Sequence, residues 1–148
     1  GSVVPLFHEQ KPTGELTITD ERMTRFWITL EEAVDLVLFS LESMEGGEIF
    51  IPKIPSMRVT DLAEALAPGT PTRITGIRPG EKLHEILLTQ DEARHCVDAG
   101  PVFVVLPEHP WWARETKWAG FPILDPDFQY ASDSNEWWLS IEELRSSS

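Results

Sequence analysis

Apolar positions along the chain change their spacing from two residues to about 3.6 and back, the pattern of alternating strands and helices. Glu15–Thr19 (ELTIT) alternates and is rich in β-formers, so it predicts a short strand, and Arg25–Thr29 (RFWIT) predicts another. Thr29-Leu-Glu-Glu32 has the form of a capping box: the Thr29 hydroxyl accepts a free helix N–H while Glu32 reaches back. The helix predicted after it, 30–44, sets Ala33, Val34, Val37, Leu38 and Leu41 on one face, and Gly46-Gly47 should end it. Glu48–Ile51 (EIFI) then predicts a strand, stopped by Pro52 and Pro55. Thr60 is expected to cap a brief helix over DLAEALA, closed by Pro68-Gly69.

Thr72–Gly76 predicts a strand that leads into the loop Arg78-Pro79-Gly80-Glu81. Thr89–Glu92 repeats the capping-box pattern, Val102–Leu106 (VFVVL) predicts a buried strand, and Ser140–Glu143 suits the start of a C-terminal helix. Residues 3–10 are apolar and then polar and run into a turn-prone KPTGE stretch, and Pro107–Tyr130 is irregular and rich in Trp and Pro. Alternating strand and helix signals make the class α/β. Helix 30–44 and strand 48–51 read as the last αβ step of a larger sheet, whose other strands nothing before residue 3 supplies.

Composition narrows the function. At 148 residues, 41% hydrophobic and 25% charged, the chain suits one globular domain with a modest core. No apolar run approaches the roughly 20 residues that cross a bilayer, and no signal-peptide pattern opens the chain. The single cysteine, Cys96, fits a reducing compartment, so the expected location is cytoplasmic. Twelve basic against twenty-five acidic side chains give a net charge of −13, spread along the chain. A field of that sign disfavours nucleic acid and anionic membranes, because both rest on Lys and Arg meeting phosphates. An anionic small molecule fits only where a few arginines are concentrated. That makes each arginine informative.

Familiar catalytic arrangements are absent: no glycine-rich dinucleotide turn, no P-loop, no Tyr-x-x-x-Lys and no Cys/His set with metal-ligand spacing. His95-Cys96 is a poor nucleophile pair, since neighbours on a helix point in different directions. No catalytic and no metal-binding residue is assigned. Two arginine-bearing segments remain, Thr19–Trp27 (TDERMTRFW) and Gly76–Glu85 (GIRPGEKLHE). Pro79-Gly80 forces a turn that holds Arg78 near Glu81 at a strand end, where open α/β folds place ligands. A guanidinium there can grip a diphosphate with two hydrogen bonds, and a carboxylate can accept from sugar hydroxyls. The plainer reading is an exposed Arg78–Glu81 ion pair that stiffens the turn. For Trp111, Trp112, Trp118, Trp137 and Trp138 the plainer reading prevails, as core or interface anchors.

Residues 1–7 (GSVVPLF), 18–30 (ITDERMTRFWITL), 46–57 (GGEIFIPKIPSM) and 76–85 resemble the C-terminal half of the inverting UDP-N-acetylglucosamine 4,6-dehydratases. Those are extended short-chain dehydrogenase/reductases that begin pseudaminic-acid-type sugar biosynthesis in bacteria. The likeness runs in order to about residue 95 and resumes at Asp127–Tyr130 and Asn135–Ser140; the stretch 107–122 is less familiar. The resemblance implies an NADP-dependent lyase acting on UDP-N-acetylglucosamine. NADP takes hydride from C4, water leaves across C5 and C6, and hydride returns to C6 with inversion at C5.

By the same resemblance the catalytic and NADP-binding residues lie in an N-terminal Rossmann half that precedes Gly1, and this chain alone is inactive. Val3 and Thr19 would line the UDP-sugar pocket, and Arg78 and Glu81 would contact the nucleotide, Arg78 at the diphosphate. Arg25 resembles an arginine that related epimerases place near the pyrophosphate. Helix 30–44 and strand 48–51 become the last αβ unit of the Rossmann sheet. Residues 1–56 are expected to be the end of that half with pocket segments, and 57–148 a small mixed α/β substrate-binding subdomain. The expected partners are the Rossmann half and further copies in a homo-oligomer. The rivals are a UDP-HexNAc 4-epimerase or retaining dehydratase of the same superfamily, and a non-catalytic UDP-sugar-binding module.

Overall fold

The computed structural model describes residues 3–108 and 116–147, so Trp111 and Trp112 lie outside the described residues. In chain order the elements are α1 (Val3–Gln10), β1 (Leu16–Ile18), β2 (Thr24–Phe26), α2 (Leu30–Ser43), β3 (Ile49–Pro52), β4 (Ser56–Arg58) and α3 (Val59–Leu66). They continue as β5 (Thr72–Ile74), β6 (Ile86–Leu88), α4 (Gln90–Ala93), β7 (Cys96–Asp98), β8 (Val102–Val105), β9 (Tyr130–Ala131) and α5 (Ile141–Ser147). Parallel and antiparallel pairs both occur, which makes the fold mixed α/β. No helix among the described residues is long and apolar enough to cross a membrane.

Contacts divide the chain into two units, each built from segments that are not contiguous in sequence. The first comprises residues 1–27, 55–85 and 132–148; the second comprises 28–54 and 86–131. The reason is pairing between distant segments. In the first unit β1 runs parallel to β5, with Leu16 opposite Thr72 and Ile18 opposite Ile74. There β2 is antiparallel to β4, with Arg25 opposite Met57. Helix α3 carries Val59, Leu62, Ala63 and Leu66 on one face, and they bury with Phe7, Leu16, Ile18, Met57 and Leu144. Thr60 does not cap this helix. The Val59 N–H donates to the Met23 carbonyl, so neighbouring backbone satisfies the first free donor and Arg58 caps without a side-chain bond.

Helix α1 was not apparent from sequence, because its pattern is short and contains Pro5. In the first turn a proline lacks only an N–H that has no intrahelical acceptor anyway, so the helix tolerates it. Phe7 then points into the core.

The second unit holds the antiparallel sheet β3-β8-β7, with β8 wholly buried at its centre, and the pair β6-β9. Trp118 is a packing anchor here: its ring meets Phe50 edge-on at 5.7 Å and its indole N–H donates to Glu48 Oε1 at 3.1 Å. The Thr29–Glu32 and Thr89–Glu92 capping boxes are both complete. Met44, in extended conformation, ends α2, and Gly46 and Gly47 shape the turn beyond it. The apolar face expected to bury does not: Val37 is 57% and Leu41 63% exposed. Instead Leu36 packs on the unit's core and Phe39 meets Phe50 edge-on at 5.9 Å. Strand β3, expected in an αβ step, has antiparallel β8 on one edge and no strand on the other among the described residues.

Cys96 opens β7 rather than lying on a helix, and it is fully buried. Burial pushes its thiol up from 9.0 to about 12. In the native protein Cys96 should resist iodoacetamide at pH 8 and react once urea unfolds the chain; equal rates in both states would contradict its burial. The raised value stabilises the fold fully below about pH 9, and this contribution should be lost as pH rises through 12. Leu144 is fully buried where α5 packs on α3, so Leu144→Ala should cost about 2–5 kcal/mol by urea denaturation.

Candidate functional site

Parallel strands end at the same edge, and the chain beyond β1 and β5 stays in register. Thr75 N donates to Ile18 O at 2.9 Å and Gly76 N to Thr19 O at 3.0 Å. Thr19 and Gly76 therefore lie side by side past the carboxyl ends of the pair, the position where open α/β sheets receive ligands. Gly76 adopts φ +83°, a left-handed turn that a side chain would strain, and from it the chain enters 77–85.

The turn at Arg78–Glu81 locks itself. Glu81 N donates to Arg78 O at 3.0 Å, and Arg78 N donates back to Glu81 Oε2 at 3.0 Å. Gly80 supplies φ +86° between them. The carboxylate thus holds the Arg78 backbone rather than its guanidinium, so the plain ion-pair reading is not what the geometry contains. The guanidinium is left exposed. Every other described arginine and lysine has a side-chain hydrogen bond, ion pair or ring contact; Arg78 alone among the described residues has none.

Arg25 is placed differently. Its Nη1 donates to Thr24 O at 2.7 Å and Leu83 O at 3.0 Å, and its Nη2 donates to Lys82 O at 2.9 Å. Its Nε lies 3.6 Å from Glu85. Thr24 Oγ1 lies 2.8 Å from His84 Nδ1 and 2.6 Å from Ser132 Oγ, and Ser132 Oγ accepts from Glu85 N at 2.9 Å. His84 and Ser132 escaped the sequence reading because they lie 60 and 108 positions from Thr24, with no spacing to connect them. Val3 opens α1 and packs on the core cluster that contains Ile18, the neighbour of Thr19. Arg22 is engaged by Asp20, whose carboxylate accepts from its backbone N, Nε and Nη2 at 2.8–3.0 Å. Among the described residues, the strand-end turn can therefore offer the Arg78 guanidinium, the Thr19 hydroxyl and the Glu81 carboxylate to a ligand.

The family described as "Polysaccharide biosynthesis protein" matches residues 1–107. The UDP-N-acetylglucosamine 4,6-dehydratase (inverting) of Campylobacter jejuni is 46% identical over 97% of this chain and 46% of its own length. The UDP-glucose 4-epimerase of Rickettsia typhi is 41% identical over 68% of this chain and 31% of its own length. Among solved structures, Pen from Bacillus thuringiensis superposes with a TM-score of 0.82 at 32% identity, covering 99% of this chain and 44% of that one. The chain spans about half the length of the first of these relatives.

Hydrogen bonds from Arg22 hold the Asp20 carboxyl down from 3.8 to about 2. Its folded value is depressed, so its contribution to the 19–24 turn is present above the ordinary value and should be lost as pH falls through about 2. Carboxyl carbon shifts followed by NMR should show Asp20 titrating near pH 2. A midpoint at its ordinary value would mean that the Arg22 contact is absent in solution.

Proposed function

The chain belongs to the polysaccharide biosynthesis protein family, and from that premise we propose that it is the substrate-binding portion of an inverting UDP-N-acetylglucosamine 4,6-dehydratase. The observation that carries the reading is the unpartnered Arg78 guanidinium on a self-locked turn at the carboxyl ends of β1 and β5. In a chain of net charge −13, leaving one guanidinium uncommitted beside a strand end favours a local anion. A UDP-sugar supplies one. Arg78 grips the diphosphate, Glu81 accepts from a nucleotide hydroxyl through the carboxylate oxygen that its turn leaves unused, and Thr19 and Val3 line the sugar side.

Hydride transfer through NADP and elimination across C5 and C6 belong, in this reading, to an N-terminal Rossmann half. This chain has no glycine-rich turn to cradle a dinucleotide, so its residues do not fit NADP. The exposed face of α2 and the open edge of β3 would then be covered by that half, which accounts for an apolar stripe left in solvent. A homo-oligomer in the cytoplasm is part of the same reading. The 4-epimerase alternative draws on the Rickettsia relative, but that likeness covers 68% of the chain against 97% for the dehydratase.

The full-length protein should convert UDP-N-acetylglucosamine to a 4-keto product, and a 4-epimer instead would favour the alternative. In it, Arg78→Ala should weaken UDP binding by about 2–4 kcal/mol, the scale of a desolvated charged contact. Arg78→Lys should fall between, since an ammonium cannot reproduce the planar fork, and Glu81→Gln should lose least. The loss should appear in KM more than in kcat, because the diphosphate keeps its charge during dehydration. Calorimetric titration with UDP reads the affinities; equal values for wild type and Arg78→Ala would mean that the exposed guanidinium does not meet the nucleotide.

A further inference from the structure

We propose that Arg25, Thr24, His84 and Ser132 form a clamp that positions the Arg78–Glu81 turn, so that Arg25 is a positioning residue and not a phosphate ligand. The proposal rests on the nucleotide reading of Arg78. Its starting point is that the Arg25 guanidinium is already committed. Three carbonyls, Thr24 O, Leu83 O and Lys82 O, accept from it at 2.7–3.0 Å, and Glu85 lies beside its Nε. A guanidinium has five N–H donors in a fixed fork, and donors turned to backbone are not free to turn to a ligand.

The carbonyls it holds belong to the segment that carries Arg78. Backbone adds a further tie, since Thr24 N donates to Leu83 O at 3.2 Å. On the other side, Ser132 is fully buried and bonds both Thr24 and Glu85. Its hydroxyl meets Thr24 Oγ1 and accepts from Glu85 N, while its own N–H donates to Glu85 O at 2.8 Å. His84 completes the node through Nδ1 on the Thr24 hydroxyl. Gly76 is tied at the other end to Thr19 O. Residues 77–81 are therefore suspended between two anchors, with their own internal bonds between Arg78 and Glu81. A ligand meeting Arg78 finds it in place, and the ordering cost of binding falls accordingly.

A double-mutant cycle in the full-length protein, read by UDP calorimetry, tests the clamp. Arg25→Ala should weaken UDP binding roughly tenfold or more, and the Arg25→Ala/Arg78→Ala double variant should bind within about twofold of Arg78→Ala alone. Residues that act through one another do not add. Multiplying losses would mean that Arg25 meets the nucleotide itself, and wild-type affinity in Arg25→Ala would mean that the clamp positions nothing; either overturns the proposal. Unchanged affinity in Arg78→Ala would instead remove the nucleotide reading on which it rests. Ser132→Ala keeps every charge and releases the same segment, so it carries the cycle with Arg78→Ala if Arg25→Ala fails to fold. It should show the same non-additive loss, and a loss that multiplies, or none, overturns the clamp.

Discussion

The parallel pairing of Leu16–Ile18 with Thr72–Ile74 is the constraint on which the site depends. Two strands of three residues, far apart in sequence, are a weak ladder by themselves. Burial makes the pairing hold, because Leu16 and Ile18 are almost wholly withdrawn from solvent among Phe7, Leu62 and Leu144. Closing such a long loop costs entropy that only this core can offset. The pleat of β1 follows from the same burial. With Leu16 and Ile18 facing the core, a slip of one residue would send Thr17 inward and turn both apolar side chains out. The register that hides Ile18 is the one that sets Thr19 beside Gly76.

Charge is managed locally on that frame. An acidic chain commits its cations: Arg73 to Glu15, Arg22 to Asp20, Lys53 to Asp98, Arg25 to three carbonyls. These partly exposed pairs contribute little stability each. Their consequence is electrostatic bookkeeping of another kind, since each neutralised cation leaves the field to the ones that remain. Arg78 is outside all of these pairs, and the Glu81 carboxylate beside it accepts from its backbone N–H rather than from its guanidinium.

Much of this was legible in the sequence wherever one local rule decided the outcome. The capping boxes at Thr29 and Thr89 needed only a hydroxyl and a carboxylate three residues apart, strands β1, β3 and β8 announced themselves by β-rich apolar runs, and the runs expected at 25–29 and 72–76 overlap the shorter β2 and β5. Arg78 and Glu81 came together because Pro79-Gly80 dictates a turn. The reading failed where a distant partner decides. Helix α3 starts at Val59 because Met23 supplies an acceptor from another segment. The second unit recruits Leu36 and Phe39 of α2, and not the stripe that helical spacing favoured, because Phe50 and Trp118 already form its aromatic wall. Strands β6, β7 and β9 are two or three residues long and become strands only through their neighbours.

The same distinction separates the two arginines of the site. In sequence Arg25 and Arg78 look alike, each a cation entering or leaving an apolar strand, and a resemblance assigns both to one diphosphate. What parts them is where nearby backbone carbonyls stand. Around Arg25 the 82–83 segment turns its carbonyls inward, toward β2, since Leu83 packs on the core beside it. Around Arg78 the residue's own carbonyl accepts from Glu81 N and the side chain is presented to solvent. A guanidinium surrounded by carbonyls becomes part of the scaffold, and one without them stays available to a ligand. Whether a given arginine binds or builds is thus a property of the loop opposite it.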